Sequence, residues 1–196
     1  MSDPLLAAEP AQLRDGTWVT TRAIRPDDAP RLQAFHARLS PQSIYLRWLS
    51  AHPVLSDDEA QTLSRVDYHE RMAFVATRPA AQTPAAPPPA TQHPPDDEEI
   101  IGVARYAAAP AEGPGAAEAA VVVADDLQQH GLGTLLLGRL LAYARTQAIT
   151  TWVAEINAQN ARMLRFIQRG GLPTTKRLDS GSFQVRIDIS PVRRVQ

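Results

Sequence analysis

Short apolar runs and helically spaced apolar positions alternate along the chain, and they predict a series of strands and helices. Runs rich in β-branched residues favour strands. Apolar residues that recur every three or four positions behind a polar first turn favour helices. The predicted strands are 17–24, 72–77, 100–107, 119–124, 150–156 and 182–189. The predicted helices begin near residues 27, 42, 56, 131 and 159, and residues 1–14 are predicted to be loosely held.

This order of elements indicates an α/β fold with a mixed sheet. One region breaks the pattern, because residues 79–99 are rich in Pro, Ala, Gln and Thr and lack apolar anchors. Such a segment buries too little apolar surface to fold, so we predict a solvated or disordered insertion between two adjacent strands. The 196 residues are predicted to form one domain, 1–196, around a sizeable core.

Composition narrows the class of protein. Lys plus Arg number 20 and Asp plus Glu number 21, so no excess charge points to nucleic acid or a membrane surface. The absence of cysteine excludes disulfides, thiolate metal sites and a cysteine nucleophile. His36, His52 and His69 show no metal-ligand spacing, so no metal is expected. The sequence shows neither a signal-peptide pattern nor an apolar run long enough for a membrane span, and a soluble cytoplasmic protein is expected.

The most informative stretch is 118–143, where a valine-rich strand leads into a glycine-bearing loop and an amphipathic helix. Glycines let the backbone approach a ligand, and a helix that begins there directs free N–H groups and its positive dipole end forward. A phosphate-type anion site is therefore predicted. A nucleoside-triphosphate loop is disfavoured because Thr134, not Lys, follows Gly133. A dinucleotide fingerprint is disfavoured because Leu136 stands where Gly or Ala is needed.

The loop reads Gln-x-x-Gly-x-Gly, with Gln128, Gly131 and Gly133 at the fixed positions. This pattern resembles the acyl-CoA pyrophosphate loop of the GNAT acyltransferase superfamily, and a plain strand-to-helix turn is the alternative. Further segments resemble the bacterial Pat-type protein lysine acetyltransferases within that superfamily. They are TRAIRPDD at 21–28, LSPQSIYLRW at 39–48, AEAAVVV at 117–123, and NARM at 160–163 with GGL at 170–172. Trp48 and Leu172 depart from the resembled pattern, where Phe is usual.

The resemblance implies a fold, a cosubstrate and a set of site residues. The fold is the α/β GNAT fold, a mixed central sheet with splayed strands flanked by helices, and the cosubstrate is acetyl-CoA. Glu118 is expected to be the general base, with a solvated strand-end carboxylate as the alternative. Roughly six residues of strand, on the order of 20 Å, separate it from the loop, and an extended pantetheine arm is of comparable length. The expected coenzyme contacts are Val121, Val122, Val123, Gln128, Gln129, His130, Gly131, Leu132, Gly133, Thr134 and Asn160.

Two expectations concern the last predicted helix. Asn160 resembles a motif Asn that contacts the coenzyme, and the alternative is a helix-start residue with local hydrogen bonds. Many GNAT enzymes use a Tyr of this helix as the general acid for the departing thiolate. Ile167 occupies that position here, beside Phe166, so no such Tyr is expected. A CoA thiol is acidic enough to leave with little help.

The leading hypothesis is direct transfer of the acetyl group of acetyl-CoA to a protein lysine, for example on an acyl-CoA synthetase. The backbone of Val121 and Val123 would hold the pantetheine arm, and one N–H would polarise the thioester carbonyl. Two alternatives stay open: a small amine or a protein N-terminus as acceptor, and a non-catalytic acyl-CoA-binding sensor. No nucleic acid or membrane partner is expected. The acceptor, the acyl-chain preference, the oligomeric state and any regulator do not follow from the sequence.

Overall fold

The computed structural model describes residues 4–79 and 98–191, in which an eight-stranded sheet is flanked by five α-helices. The spatial order of the strands is β1-β2-β3-β4-β5-β6-β8-β7. The strands are β1 Glu9–Gln12, β2 Trp18–Ala23, β3 Arg71–Pro79, β4 Glu98–Ala108, β5 Ala116–Val123, β6 Thr151–Asn157, β7 Thr174–Asp179 and β8 Ser182–Asp188. The helices are α1 Ala29–Ala37, α2 Pro41–Trp48, α3 Asp57–Ser64, α4 Leu132–Thr146 and α5 Ala161–Gly170.

The two faces of the sheet carry separate apolar clusters, because successive strand residues point to opposite sides. On one face α4 packs against β3, β4 and β5, where Phe74 and Leu136 are buried. On the other face, the helices α1, α2 and α3 cover Val75 and Val103. A Cβ atom added at Gly102 would lie 3.0 Å from Cδ1 of Leu136, so this glycine lets α4 approach the sheet closely. Both faces of β3 and β4 are thus covered, and β5 lies beside them, between β4 and β6.

The sheet opens between β5 and β6. These parallel strands pair at only three positions, and the last joins Glu118 to Val153. β5 remains paired with β4 as far as Val123, and β6 remains paired with β8 as far as Asn157. The edge of β5 from Ala119 onward therefore faces a gap instead of a neighbouring strand. The mixed sheet with splayed strands, expected from the sequence, is confirmed.

Two strands and one boundary differ from the sequence-based prediction. Residues 9–12 form the edge strand β1, so the prediction of a loosely held N-terminal segment was wrong there. The strand β7 was not predicted separately, because all six of its residues are exposed and show no apolar alternation. β3 extends to Pro79 and β4 begins at Glu98, so both ends of the predicted 79–99 insertion are strand. Residues 80–97 lie outside the described residues.

Arg22 and Asp28 form a buried ion pair that fixes the start of α1. Nη1 and Nη2 of Arg22 donate to the two oxygens of Asp28 at 2.7 and 2.8 Å, and the Arg25 N–H donates at 2.8 Å. Burial alone would raise the pKa of Asp28, but the hydrogen bonds and charge of Arg22 hold it below its usual value. The stabilisation is therefore present at neutral pH and is lost as acid protonates Asp28. Arg22, Arg25 and Asp28 all belong to the TRAIRPDD segment, so these contacts give that segment a structural role.

Candidate active site

The gap between β5 and β6 widens into a cleft of about 560 Å³. Glu118 and Val121 of β5 line one side, and Thr134 lies on the α4 wall. The opposite side consists of β6 and α5, whereas residues 46–49, at the end of α2, close one end. The cleft thus joins the two places that the sequence singled out, the valine-rich strand and the start of α4.

The loop of residues 128–134, here called the glycine loop, turns sharply from β5 into α4. Gln129 and Gly131 have positive φ angles of 74° and 97°, and the second is easily adopted only by glycine. Within the described residues, the N–H groups of Gly131, Leu132 and Gly133 donate to no other part of the protein. Free N–H groups at the positive end of a helix dipole bind anions. The loop therefore has the geometry of an anion site.

Two side chains of the glycine loop, those of Leu132 and His130, face the protein rather than the anion site. Leu132 is 1% exposed and anchors the loop in the core beneath α4. Nδ1 of His130 lies 3.2 Å from an Asp15 oxygen, which turns the imidazole toward the N-terminal hairpin. We therefore expect Leu132 and His130 to contribute to a ligand site through their backbone groups.

A cluster of hydrogen bonds ties the glycine loop to α2. The carboxylate of Asp125 accepts from the Ser40 N–H at 2.8 Å, from its hydroxyl at 2.8 Å and from the Ser43 hydroxyl at 2.6 Å. We call Ser40, Ser43 and Asp125 the serine clamp. Nε2 of Gln128 extends the cluster by donating to Oγ of Ser43 at 3.1 Å and to the Val123 carbonyl at 3.2 Å. The clamp gives a structural role to the two serines of the LSPQSIYLRW segment.

Arg162 is a site residue that the sequence reading missed. It lies on α5, and its guanidinium donates to Oε1 of Gln128 across the mouth of the cleft. The side chain of Gln128 thereby joins α2, β5 and α5. The only signal in the sequence was the position of Arg162 two residues after Asn160, in the NARM segment. A cation beside free N–H groups further favours an anionic ligand.

Asn160 makes the local hydrogen bond of a helix start, and its contact with a coenzyme stays a prediction. Its side-chain oxygen accepts from the Met163 N–H at 3.0 Å and so caps α5. The same residue also lines the cleft. Phe166 and Ile167 follow on the cleft face of α5, at the place where a tyrosine acid was not expected. Thus α5 supplies an apolar part of the cleft wall.

Glu118 stands where β5 and β6 begin to separate, and its side chain is exposed. It pairs with Ala107 of β4 and Val153 of β6, so the backbone on both sides holds it in place. Arg47 of α2 lies close enough for its charge to interact with Glu118, although burial lowers the pKa of Arg47 overall. Glu118 and Glu155 are the carboxylates in the described lining of the cleft. A base at this point could reach an amine that enters the cleft from solvent.

The fold and cleft define a class of protein that the comparisons identify. A sequence profile of the acetyltransferase (GNAT) family matches residues 47–171, well over half of the chain. The chain belongs to this family, and it is accordingly an acyl-CoA-dependent N-acyltransferase. The family uses acetyl-CoA as its cosubstrate.

Particular relatives include Pat-type proteins. The chain is 33% identical over 157 residues to acetyltransferase PA5475 of Pseudomonas aeruginosa, across 77% of this chain and 73% of that protein. It is 27% identical over 188 residues to acetyltransferase Pat of Mycolicibacterium smegmatis, across 95% of this chain. This chain spans only 50% of the length of that Pat. The crystal structure of the GNAT domain of S. lividans PAT matches 96% of this chain and 99% of that domain, with a TM-score of 0.76 and 25% identity.

Two absences concern only the part of the chain that the structure describes. No group of three or more His, Asp or Glu residues in 4–79 and 98–191 is arranged to hold a metal ion. In the same ranges, none of the helices combines the length and apolarity needed to span a bilayer.

Replacing Asp125 by Ala is expected to loosen α2 from the glycine loop. The hydrogen bonds from Ser43 and Ser40 outweigh partial burial and hold the pKa of Asp125 below its usual value, so the carboxylate is ionised at neutral pH. Removing it should lower the free energy of unfolding by about 1 kcal/mol, because the carboxylate is exposed. The KM for acetyl-CoA should rise several-fold. Thermal unfolding and steady-state kinetics measure the two effects.

Asp126→Ala is the matched control for this substitution. Asp126 is the next residue, is also exposed, and makes only a 3.5 Å contact with Arg78. Asp126→Ala should change neither the free energy of unfolding nor the KM for acetyl-CoA appreciably. Equal effects of the two substitutions would show that the serine clamp does not position the loop.

Proposed function

We propose that this protein transfers the acetyl group of acetyl-CoA to the side-chain amine of a lysine in another protein, with Glu118 as the general base. The observation that carries the proposal is the position of Glu118, an exposed carboxylate at the point where β5 and β6 separate. An acyl-CoA synthetase is the first candidate acceptor. The similarity to M. smegmatis Pat and to the S. lividans PAT domain supports a protein acceptor.

The glycine loop would hold the coenzyme diphosphate. The N–H groups of Gly131, Leu132 and Gly133 supply the donors, with Gln129 and the Thr134 hydroxyl beside them. The backbone of Val121, Val122 and Val123 would run alongside the pantetheine arm, because the edge of β5 beyond Glu118 is unpaired. The arm then leads back along β5 to Glu118, and Asn160 faces it across the cleft.

Acyl transfer requires a neutral amine, because an ammonium has no lone pair. Glu118 would take a proton from the incoming lysine ammonium, directly or through one water. The amine nitrogen then forms a bond to the thioester carbonyl carbon, the C–S bond breaks, and the second nitrogen proton passes to the departing CoA sulfur. An N–H of Val121 or Val123 would stabilise the negative oxygen of the tetrahedral intermediate. No side-chain acid is needed for the thiolate, which agrees with the apolar Phe166 and Ile167.

The proposal is tested by offering three classes of acceptor in parallel with labelled acetyl-CoA. They are an acyl-CoA synthetase, a protein extract whose α-amines have been blocked, and a panel of small amines. We expect label on lysine side chains of protein, located by peptide mass spectrometry. Label on small amines alone would overturn the protein acceptor. Tight acetyl-CoA binding without transfer to any class would instead favour a sensor.

A further inference from the structure

A second, smaller cavity opens beside the acyl end of the cleft. Its volume is about 40 Å³, and it lies between α1, α2 and the face of β5 that carries Ala120 and Val122. Arg47, Trp48 and Ala120 line both the cavity and the cleft, so the two spaces adjoin. Ala120 is two residues from Glu118 and on the same face of the strand. The cavity is thus placed next to the reacting carbon of the proposed reaction.

Two partly buried guanidinium groups line this cavity. Cζ of Arg47 lies 4.7 Å from the centre of the Trp48 ring, and Nη2 of Arg105 donates to the Leu63 carbonyl at 2.8 Å. Within the described residues, neither arginine has a carboxylate within ion-pair distance. By contrast, the more deeply buried Arg22 is paired with Asp28. Arg105 therefore has no compensating carboxylate, and Arg47 has only the longer-range charge of Glu118.

Their charges also repel each other. Burial, together with the nearby charges of Arg47 and Arg71, lowers the pKa of Arg105 to about 9. At neutral pH the guanidinium still carries its charge. Burying two unpaired cations side by side costs free energy, because charges in protein interiors are normally paired. An anion between them would remove this cost.

We propose that Arg47 and Arg105 bind a carboxylate carried by the acyl group of the donor, so that ω-carboxyacyl thioesters such as malonyl- or succinyl-CoA are substrates beside acetyl-CoA. This rests on the proposed acyl transfer at Glu118. The reaction is balanced as for acetyl: the lysine nitrogen bonds to the thioester carbon, the C–S bond breaks, one ammonium proton passes to Glu118 and the second leaves with the CoA thiol. The terminal carboxylate takes no part in the bond changes.

The volume and the lining of the smaller cavity favour the acyl group as the source of the carboxylate. A cavity of this volume holds about three water-sized groups. Malonyl and succinyl exceed acetyl by three and four non-hydrogen atoms respectively, about the space available. Phe35, Leu39 and Val103 line the cavity and suit methylene groups. An acidic side chain of an acceptor protein would reach Arg47 at the cleft, but Arg105 lines only the inner cavity.

The test compares kcat/KM for acetyl-, butyryl- and succinyl-CoA in the wild type and in Arg105→Met. Butyryl has the same four carbons as succinyl without the charge. Two charge-assisted hydrogen bonds to a carboxylate predict that Arg105→Met lowers the succinyl-to-butyryl ratio about 10- to 100-fold. Arg105→Lys, which keeps the charge, should retain part of the ratio, and Arg47→Met is a second variant if Arg105→Met does not fold. An unchanged ratio, or wild-type succinyl transfer below about 1% of acetyl transfer, would overturn the proposal.

Two further measurements distinguish this proposal from a failure of the proposed acyl transfer and from a carboxylate that belongs to the acceptor. Calorimetry with succinyl- and butyryl-CoA measures the carboxylate preference directly, and it does so even if no acceptor is acetylated. Loss of that preference in Arg105→Met would support the carboxylate site even without turnover. Peptides with and without Asp or Glu near the lysine test the other source of a carboxylate. If Arg47→Met reduced transfer only to the acidic peptides and left donor preference unchanged, the carboxylate would belong to the acceptor and the donor assignment would be overturned.

Discussion

Glu118→Gln is expected to lower kcat for lysine acetylation by about 10²- to 10⁴-fold, the range that a general base contributes. The amide keeps the size of the side chain but cannot accept the proton. Acetyl-CoA binding should persist, because the glycine loop lies at the other end of the exposed edge of β5. Steady-state kinetics and calorimetry measure the two quantities on the same preparation.

The pH dependence of activity identifies the role of Glu118 more sharply than the loss of kcat alone. A lysine amine titrates near pH 10.4, so the fraction of neutral amine rises about tenfold per pH unit below that value. Activity of the Gln variant should follow this rise, whereas wild-type activity should depend less steeply on pH. Glu155→Gln is the matched comparison, because Glu155 is the other carboxylate in the described lining. A larger loss of activity in Glu155→Gln than in Glu118→Gln would assign the role of general base to Glu155.

Gly133→Asp is expected to weaken acetyl-CoA binding by at least about 100-fold while leaving the fold intact. The new carboxylate would stand at the second position of α4, beside the free N–H groups that we propose for the diphosphate. Negative charge at a helix start stabilises the helix, so thermal stability should hold or rise. Repulsion between the carboxylate and the diphosphate opposes binding. Calorimetry and thermal unfolding together separate these effects.

Gly133→Ala controls for the added side chain. A Cβ atom at this position would lie 3.8 Å from Cγ2 of Val123, which is an ordinary contact. Alanine also favours a helix over glycine by roughly 1 kcal/mol. The Ala variant should therefore bind acetyl-CoA nearly as the wild type does. If the Asp variant also bound normally, the diphosphate would have to lie elsewhere.

The parts of the fold that carry local signals were predictable from sequence. The α4 helix followed from leucines at helical spacing, and the start of α3 followed from Ser56 and Glu59. In the structure the Ser56 N–H donates to the Glu59 carboxylate at 2.9 Å and the Glu59 N–H donates to Oγ of Ser56 at 3.3 Å, a reciprocal pair known as a capping box. The helix α5 ends at Gly171, whose φ is +66° and favours glycine. By contrast, β1 and β7 are held mainly by pairing with their neighbours, and pairing leaves no periodic pattern in exposed residues.

The residues of the candidate site could be predicted only where they belong to a short motif on one continuous stretch of chain. The glycines of the loop and the position of Glu118 could be placed by counting along one strand. The serine clamp and the contact of Arg162 with Gln128 join residues 34 to 85 positions apart. The approach of Arg47 to Arg105 likewise depends on how α2 lies across the sheet. Contacts of this kind arise from tertiary packing, which a single sequence does not encode in a local pattern.

The three-position pairing of β5 with β6 also has a mechanical consequence. Strands β1–β5 form one hydrogen-bonded ribbon and β6, β8 and β7 form another, and this short seam joins them within the sheet. A small rotation about the seam changes the separation of the ribbons most at their far ends, where the diphosphate is proposed to bind. Few ladder bonds resist that rotation compared with the seven positions that join β4 to β5. The resistance to separating the two ribbons is therefore lowest along the cleft between β5 and β6, where we propose that the coenzyme binds.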